Sequence, residues 1–275
     1  MSGRLSPQIN KQIQTFPSDF WKDEFQKANT CGFDSIEWIF DLNNNPILHD
    51  DGLEEMRSLS KKYDVMISAV CADYFMQKML FNVGKSDLKQ NLDLLQKLIQ
   101  RCSKLDIEIL EIPFVDSSSL KTKSNTEQMV LNLQQIVDFA NSYNVKITLE
   151  TDLPPNDFKK LLKNFGKKIG ANYDVGNSTA LGYDLKEELQ SIKPWLTNVH
   201  VKDRLYEGNT VPLGTGDTDF DSFFSTLTKI NYNGQLIIQG AREDQKMIEP
   251  QNTCKKYLEF VKKHVDKYNL VTLKD

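Results

Sequence analysis

Paired cysteines, a long apolar run and a surplus of basic charge are all missing from this 275-residue chain, and each absence removes a class of function. Cys31, Cys71, Cys102 and Cys254 are far apart, with no C-x-x-C pair. That spacing suggests neither a zinc knuckle nor a disulfide framework. No stretch approaches the roughly 18 apolar residues needed to cross a bilayer, and the N-terminal MSGRLSPQINKQ lacks the apolar centre of a signal peptide. The net charge of -4 offers no basic field to neutralise phosphates, so nucleic acid is not an expected partner. No early G-x-G-x-x-G follows a strand-like run, which argues against a dinucleotide fold. Linkers, low-complexity segments and composition shifts are also lacking, so residues 1–275 read as one domain. The expectation is a reduced, cytoplasmic, soluble protein that binds neither membrane nor nucleic acid.

What is present is an alternation. Short apolar runs recur at SIEWIF (35–40), VMISAVCA (65–72), IEILEIPFV (107–115), KITLET (146–151), IGANYDV (169–175), LTNVHV (196–201) and QLIIQG (235–240). They carry little polar alternation, as strands buried on both faces do. Between them, stretches such as FWKDEFQKANT, LEEMRSLSKKY, NDFKKLLKNFG and FDSFFSTLTKI repeat apolar residues at i, i+3 and i+4, the pattern of amphipathic helices. Strand and helix in turn specify βαβ units and a parallel sheet. Seven strands are readable. An eighth at the N-terminus would complete a (β/α)8 TIM barrel, for which this length is ordinary. Hydrophobic residues make up 39% of the chain, enough for a sizeable core.

Several strands contain or end in side chains that suit a ligand better than a core. Glu37, Asp73, Glu111, Glu150, Asp174, His200 and Gln239 fall in or just after successive strands. In a barrel, the C-terminal strand ends converge on one mouth, where active sites lie. Each residue alone has a plain reading. Glu37 and Glu111 fit a solvated rim, Asp174 fits a turn cap, and His200 fits a hydrogen-bonded core position. Together they are harder to dismiss, because Glu150 and Asp174 left charged among Leu, Ile and Val strands cost several kcal/mol each without a partner. A divalent cation is the simplest shared partner. Glu, Asp, His and an amide oxygen make an oxygen-rich set suited to Mn²⁺ or Mg²⁺. Lys202, two residues beyond His200, points to the same inner face.

In order along the chain, GFDSIEWIFD, CADYFM, ITLETD, NYDVGNS, NVHVKDR, VPLGTGDTDF and LIIQGAR resemble the xylose isomerase-like TIM barrels. Within these, the sugar-phosphate isomerase/epimerase branch is the nearest match. The resemblance implies a metal held by Glu, Asp, His and Glu at successive strand ends, and two glutamates that exchange protons with opposite faces of a substrate carbon. Those positions fall on Glu150, Asp174, His200 and Gln239. Gln239 departs from the pattern: its carbonyl oxygen can bind a metal, but the amide cannot act as a base. In the resembling proteins an apolar strand precedes GRLSP, whereas here only Met1 and Ser2 do. The first strand is therefore very short or incomplete, or the chain start is truncated. An open seam exposes sheet edges, so residues near 1–5, or a neighbouring subunit, are expected to cover it.

The function these features imply is a metal-dependent isomerase or epimerase on a keto-sugar or sugar phosphate. It removes a proton beside a carbonyl and passes through an enediolate. The expected catalytic residues are Glu150, Gln239 and Glu111. Lys202, Arg204, Arg242, Glu37 and Asp73 are expected to bind substrate, the cations taking an anionic end, with Arg4 near the same mouth. The plain alternative pairs these cations with Asp203 and Glu243. With Gln239 in place, another acid such as Glu111 or Glu37 takes the second face, or one base suffices for an aldose–ketose isomerisation, or the protein binds sugar without turnover. A keto-sugar or inosose dehydratase starts with the same proton abstraction and stays open. The superfamily's multi-zinc endonucleases need more than the three histidines present. PLGTGDTDF (212–220) reads as a tight turn capped by Asp219, with an anion cradle as the alternative. Barrels of this kind often associate, so a homo-oligomer is compatible with the sequence.

Overall fold

The computed structural model describes residues 1–41, 44–243 and 248–271. Its strands, in chain order, are β1 (Ser35–Ile39), β2 (Met66–Cys71), β3 (Ile109–Phe114), β4 (Lys146–Thr151), β5 (Gly170–Asp174), β6 (Leu196–Val201), the short β7 (Asp203–Arg204) and β8 (Thr210–Val211), and β9 (Gln235–Ile238). All seven strands expected from the apolar runs are present. They form one parallel sheet in the order β1-β2-β3-β4-β5-β6-β9, while β7 and β8 pair separately as an antiparallel hairpin. The helices are α1 (Trp21–Cys31), α2 (Asp50–Tyr63), α3 (Tyr74–Gln77), α4 (Lys85–Lys104), α5 (Lys123–Ser142), α6 (Pro155–Lys163), α7 (Val175–Leu181), α8 (Leu185–Ile192), α9 (Phe220–Lys229) and α10 (Pro250–Tyr268). The order is that of an α/β barrel. No described helix is long and apolar enough to cross a membrane.

The helices bury one stripe against the outside of the sheet. Leu95, Leu98, Ile99 and Cys102 of α4 and Met129, Leu133, Ile136 and Val137 of α5 are buried together. All six residues of β3 are buried, as a strand covered on both faces requires. The barrel interior, by contrast, is polar. Asn198 and His200 of β6 reach Glu37 of β1, each at 3.1 Å. β6 and β1 are not paired in the sheet, so these contacts cross the interior and show the sheet curling toward closure.

The parallel sheet gains no eighth strand among the described residues; residues 2–5 adopt turns instead. The seam is nevertheless bridged. The Met1 amino group lies 3.5 Å from the Ile238 carbonyl of β9. Ser2 donates its backbone N–H to Glu37 O at 2.8 Å and accepts from Ile39 N through Oγ at 2.9 Å. Two residues therefore take up backbone groups of both edge strands, as the expectation that residues near 1–5 cover the seam requires. They are too few to extend a ladder.

Candidate active site

The inward residues are set by the two-residue period of each strand. β5 turns Asn172 and Asp174 inward, and β6 turns in Asn198 and His200. The ladder pairs Asn172 with Asn198 and Asp174 with His200. Gln239 follows β9 and is anchored by its backbone N–H to Val201 O. Donor atoms of Glu150, Asp174 and His200 lie within 4.8 Å of one another. His200 Nδ1 is 3.4 Å from Glu150 Oε2 and 3.9 Å from Asp174 Oδ2. Gln239 Nε2 lies 2.8 Å from the same nitrogen. Three of the expected ligands thus converge, and Gln239 joins them through its amide nitrogen, its carbonyl oxygen facing Lys202.

Lys202 completes this cluster from its edge. Its ammonium donates to Asp174 Oδ2 at 2.9 Å, Gln239 Oε1 at 3.1 Å and Asn177 Oδ1 at 3.4 Å. Gly176 makes room for it, since a Cβ there would meet Lys202 Cγ at 2.8 Å. A cationic group already resting on two of the four expected ligands shows that the donor set suits a positive charge.

The environment pushes the acids in opposite directions. Burial raises the Glu150 carboxyl, but the hydrogen bond and charge of His200, the Lys202 ammonium and neighbouring Glu111 outweigh it and hold the group at about 2. Glu111 is fully buried, and burial dominates there; despite His200, its pKa stands well above the ordinary carboxylate range. For His200, burial favours the neutral ring, but Glu111 and Glu37 overcome it and push its pKa well up. Burial also lifts Asp73 to about 6, against hydrogen bonds from Gln14 and Cys71. A low and a raised carboxyl side by side is the arrangement proton-transfer sites use.

The structure separates the other expected site residues. Asp73, Glu111, Glu150, Lys202, Arg204 and Gln239 border one solvent-facing opening. Arg204 is held there by Asn177 Oδ1 at 3.0 Å and Gly208 O at 2.7 Å. Arg242 is not in this opening. Its guanidinium is spent on the backbone carbonyls of Gly3, Ser6 and Ile13, tying the N-terminal segment to the loop after β9. Arg4 is buried beside it at the seam, its pKa lowered to about 10 by burial. Glu37 is not a rim residue either: it is fully buried under His200 and does not border the opening. Trp38, Phe75 and Phe114 are core packing.

Sequence reading missed the amides. Asn172 donates to Glu150 Oε2 at 2.9 Å and approaches His200 Nδ1 at 3.1 Å, and Asn177 donates to Glu150 Oε1 at 2.7 Å. The signal existed: Asn172 and Asn198 stand two residues before Asp174 and His200, on the same inner faces.

The glycine-rich 212–220 loop cradles an anion, but one supplied by the chain itself. Asp203, fully buried, accepts backbone N–H bonds from Gly214, Thr215 and Gly216 at 2.8–3.1 Å through Oδ2, and from Thr218 at 3.2 Å through Oδ1. Gly216 allows the approach, since a Cβ would meet Asp203 Oδ1 at 2.4 Å. Asp219 caps α9 as expected, accepting from Ser222 N at 2.9 Å. Asp203→Ala strands these donors and is expected to cost roughly 3 kcal/mol of stability. Denaturant unfolding checks this, and a loss under about 0.5 kcal/mol, the range of a neutral surface change, would show that the loop holds without it.

A family model for the xylose isomerase-like TIM barrel matches residues 25–264. Among curated proteins, an L-ribulose-5-phosphate 3-epimerase, UlaE, of Escherichia coli O1:K1 / APEC is 25% identical over 269 residues, covering 91% of this chain and 92% of its own length. The corresponding enzyme of Salmonella paratyphi C (strain RKS4594) is 26% identical over 237 residues, covering 80% and 81%. Among solved structures, a D-psicose 3-epimerase with D-tagatose from Clostridium cellulolyticum H10 superposes with a TM-score of 0.77 at 15% identity, over 93% of this chain and 96% of that one. The IOLI protein with a bound zinc atom gives 0.76 at 16% identity, over 90% and 93%.

Proposed function

The chain belongs to the xylose isomerase-like TIM barrel family, and on that footing we propose that it is a divalent-metal-dependent epimerase or isomerase of a keto-sugar or keto-sugar phosphate. The observation that carries the reading is the convergence of Glu150, Asp174 and His200 donor atoms within 4.8 Å at adjacent strand ends. The names of the similar epimerases support the substrate class. Glu150, Asp174, His200 and the Gln239 oxygen would hold the cation, with Mn²⁺ or Mg²⁺ favoured by the oxygen-rich set. When bound, such a cation stabilises the charge that develops on the substrate's adjacent oxygens.

The chain's own groups divide the remaining work. Glu150, ionised and bordering the opening, takes the proton from the carbon beside the carbonyl. Glu111 sits on the neighbouring strand, where Pro113 pairs with Glu150. It can exchange a proton with Glu150 but belongs to the same side of the site. Glu37 lies beneath the site. Neither therefore supplies the opposite face, where Gln239 stands. Lys202, at 3.1 Å from Gln239 Oε1, is the proton-bearing side chain beside that position. Lys202 and Arg204 are also the cations at the opening that suit an anionic substrate end. A second reading, a one-base isomerisation, is favoured by Gln239 itself.

The test begins with metal-depleted protein reconstituted with Mn²⁺ or Mg²⁺. It is incubated in D₂O with a panel of ketoses and their phosphates. Deuterium gain without loss of water, dependent on added metal, is the expected result. Dehydration products would assign a lyase. Bound metal with no exchange on any substrate would overturn the enzyme reading.

A further inference from the structure

Glu37 is fully buried, yet the proposed chemistry gives it nothing to do. Its Oε1 lies 3.1 Å from His200 Nε2 and accepts from Asn198 Nδ2 at 3.1 Å. Its other oxygen has no hydrogen-bond partner among the described residues. Glu111 Oε2 approaches the same ring nitrogen at 3.0 Å. These two acids and His200 could be taken for a second cation group, but all three side chains are fully buried and the cluster reaches the opening only through Glu111. The arrangement fits a carboxylate acting on the imidazole.

The far side of the ring fixes which nitrogen carries the proton. Lys202 is donor-only, so Gln239 turns its carbonyl oxygen to that ammonium and its amide nitrogen to His200 Nδ1. Asn172 also turns its amide nitrogen to Nδ1, while donating to Glu150. The two amide donors, at 2.8 and 3.1 Å, are therefore closer to Nδ1 than the Glu150 and Asp174 oxygens at 3.4 and 3.9 Å, whereas carboxylate oxygens approach Nε2 at 3.0 and 3.1 Å. The Nε2 proton is present whether or not the ring carries a second one. An imidazole so held presents Nδ1 to the Glu150–Asp174 side, as a ligating histidine must.

We propose that Glu37 is a positioning residue: it holds the Nε2 proton and ring orientation of His200, and so reserves Nδ1 for the cation. The proposal rests on the metal site proposed above, and its experiment separates the two. Glu37→Gln keeps a carbonyl acceptor, Glu37→Met removes it, and Glu37→Asp keeps the charge but shortens the reach by one methylene. Mn²⁺ affinity is measured by calorimetry, and the hydrogen-bonded Nε2 proton of His200 is followed by ¹H–¹⁵N NMR on metal-free protein.

Glu37→Met is expected to weaken Mn²⁺ roughly 10–100-fold, as loss of an outer hydrogen-bond partner does, and to move the Nε2 proton resonance upfield. Glu37→Gln should retain the resonance and stay within about tenfold of wild-type affinity. Where Glu37→Met does not fold, Glu37→Asp should move both readouts in the same direction by a smaller amount. A folded Glu37→Met protein with unchanged affinity and resonance overturns the proposal. Wild-type protein that binds no Mn²⁺ overturns the metal site instead, and the resonance still decides whether Glu37 holds the ring.

Discussion

Glu150→Gln is expected to cut deuterium exchange at the substrate carbon by roughly 10²–10⁴-fold, the contribution of a positioned general base. The substitution is nearly isosteric and removes one ionised oxygen from a site where both matter. Oε1 accepts from Asn177 and Oε2 from Asn172, so a new NH₂ group must face one of these donors. Asn177 is not free to turn over, because its own Oδ1 accepts from Arg204 and Lys202. The local network therefore loosens, and some stability goes with it. Loss of exchange must accordingly be separated from loss of fold. Glu150→Asp provides that control: it keeps the charge and the acceptors, and should retain measurable exchange. A Glu150→Gln protein that still exchanges at the wild-type rate would show that another group takes the proton.

How far the site could be read from sequence depends on what strand period reveals. The period places Glu37, Glu111, Glu150, Asp174 and His200 on inner faces, and the family motifs place Glu150, Asp174 and His200 on successive strands. Neither gives depth. Depth follows from ladder register. Glu37 pairs with Ala69, whereas Glu111 pairs with Cys71, one inward position farther along the same strand. That offset sinks Glu37 below His200 and leaves Glu111 at the opening. Arg242 lies away from the opening for a different reason. Its guanidinium follows the N-terminal carbonyls of Gly3, Ser6 and Ile13, which a chain-local reading does not bring near residue 242. The 212–220 loop illustrates the same limit, because its anion, Asp203, arrives from the preceding hairpin. The seven strands were legible because their apolar runs are uninterrupted. The interior amides were legible only once Asp174 and His200 had fixed which face was inner.

Gln239→Glu is expected to raise the interconversion of epimers at least tenfold over wild type while changing Glu150-dependent exchange far less, since a second positioned acid–base group contributes on the order of 10²–10⁴-fold. The residue is only 3% exposed, so a new carboxylate there is buried near Glu150 and Asp174. Like charges in that volume repel, and metal-free protein should lose stability. Lys202, already 3.1 Å from the Gln239 oxygen, offsets part of that cost and favours folding of the variant. A divalent cation offsets more, so the variant's melting temperature should depend on added Mn²⁺ more steeply than wild type does. Two measurements on one protein then separate the readings. Faster epimerisation with steeper metal dependence means that the missing carboxylate limits the wild-type reaction. Steeper metal dependence without faster epimerisation means that the opposite face already has its proton donor. Lys202→Met should then abolish interconversion yet leave exchange at the Glu150 face.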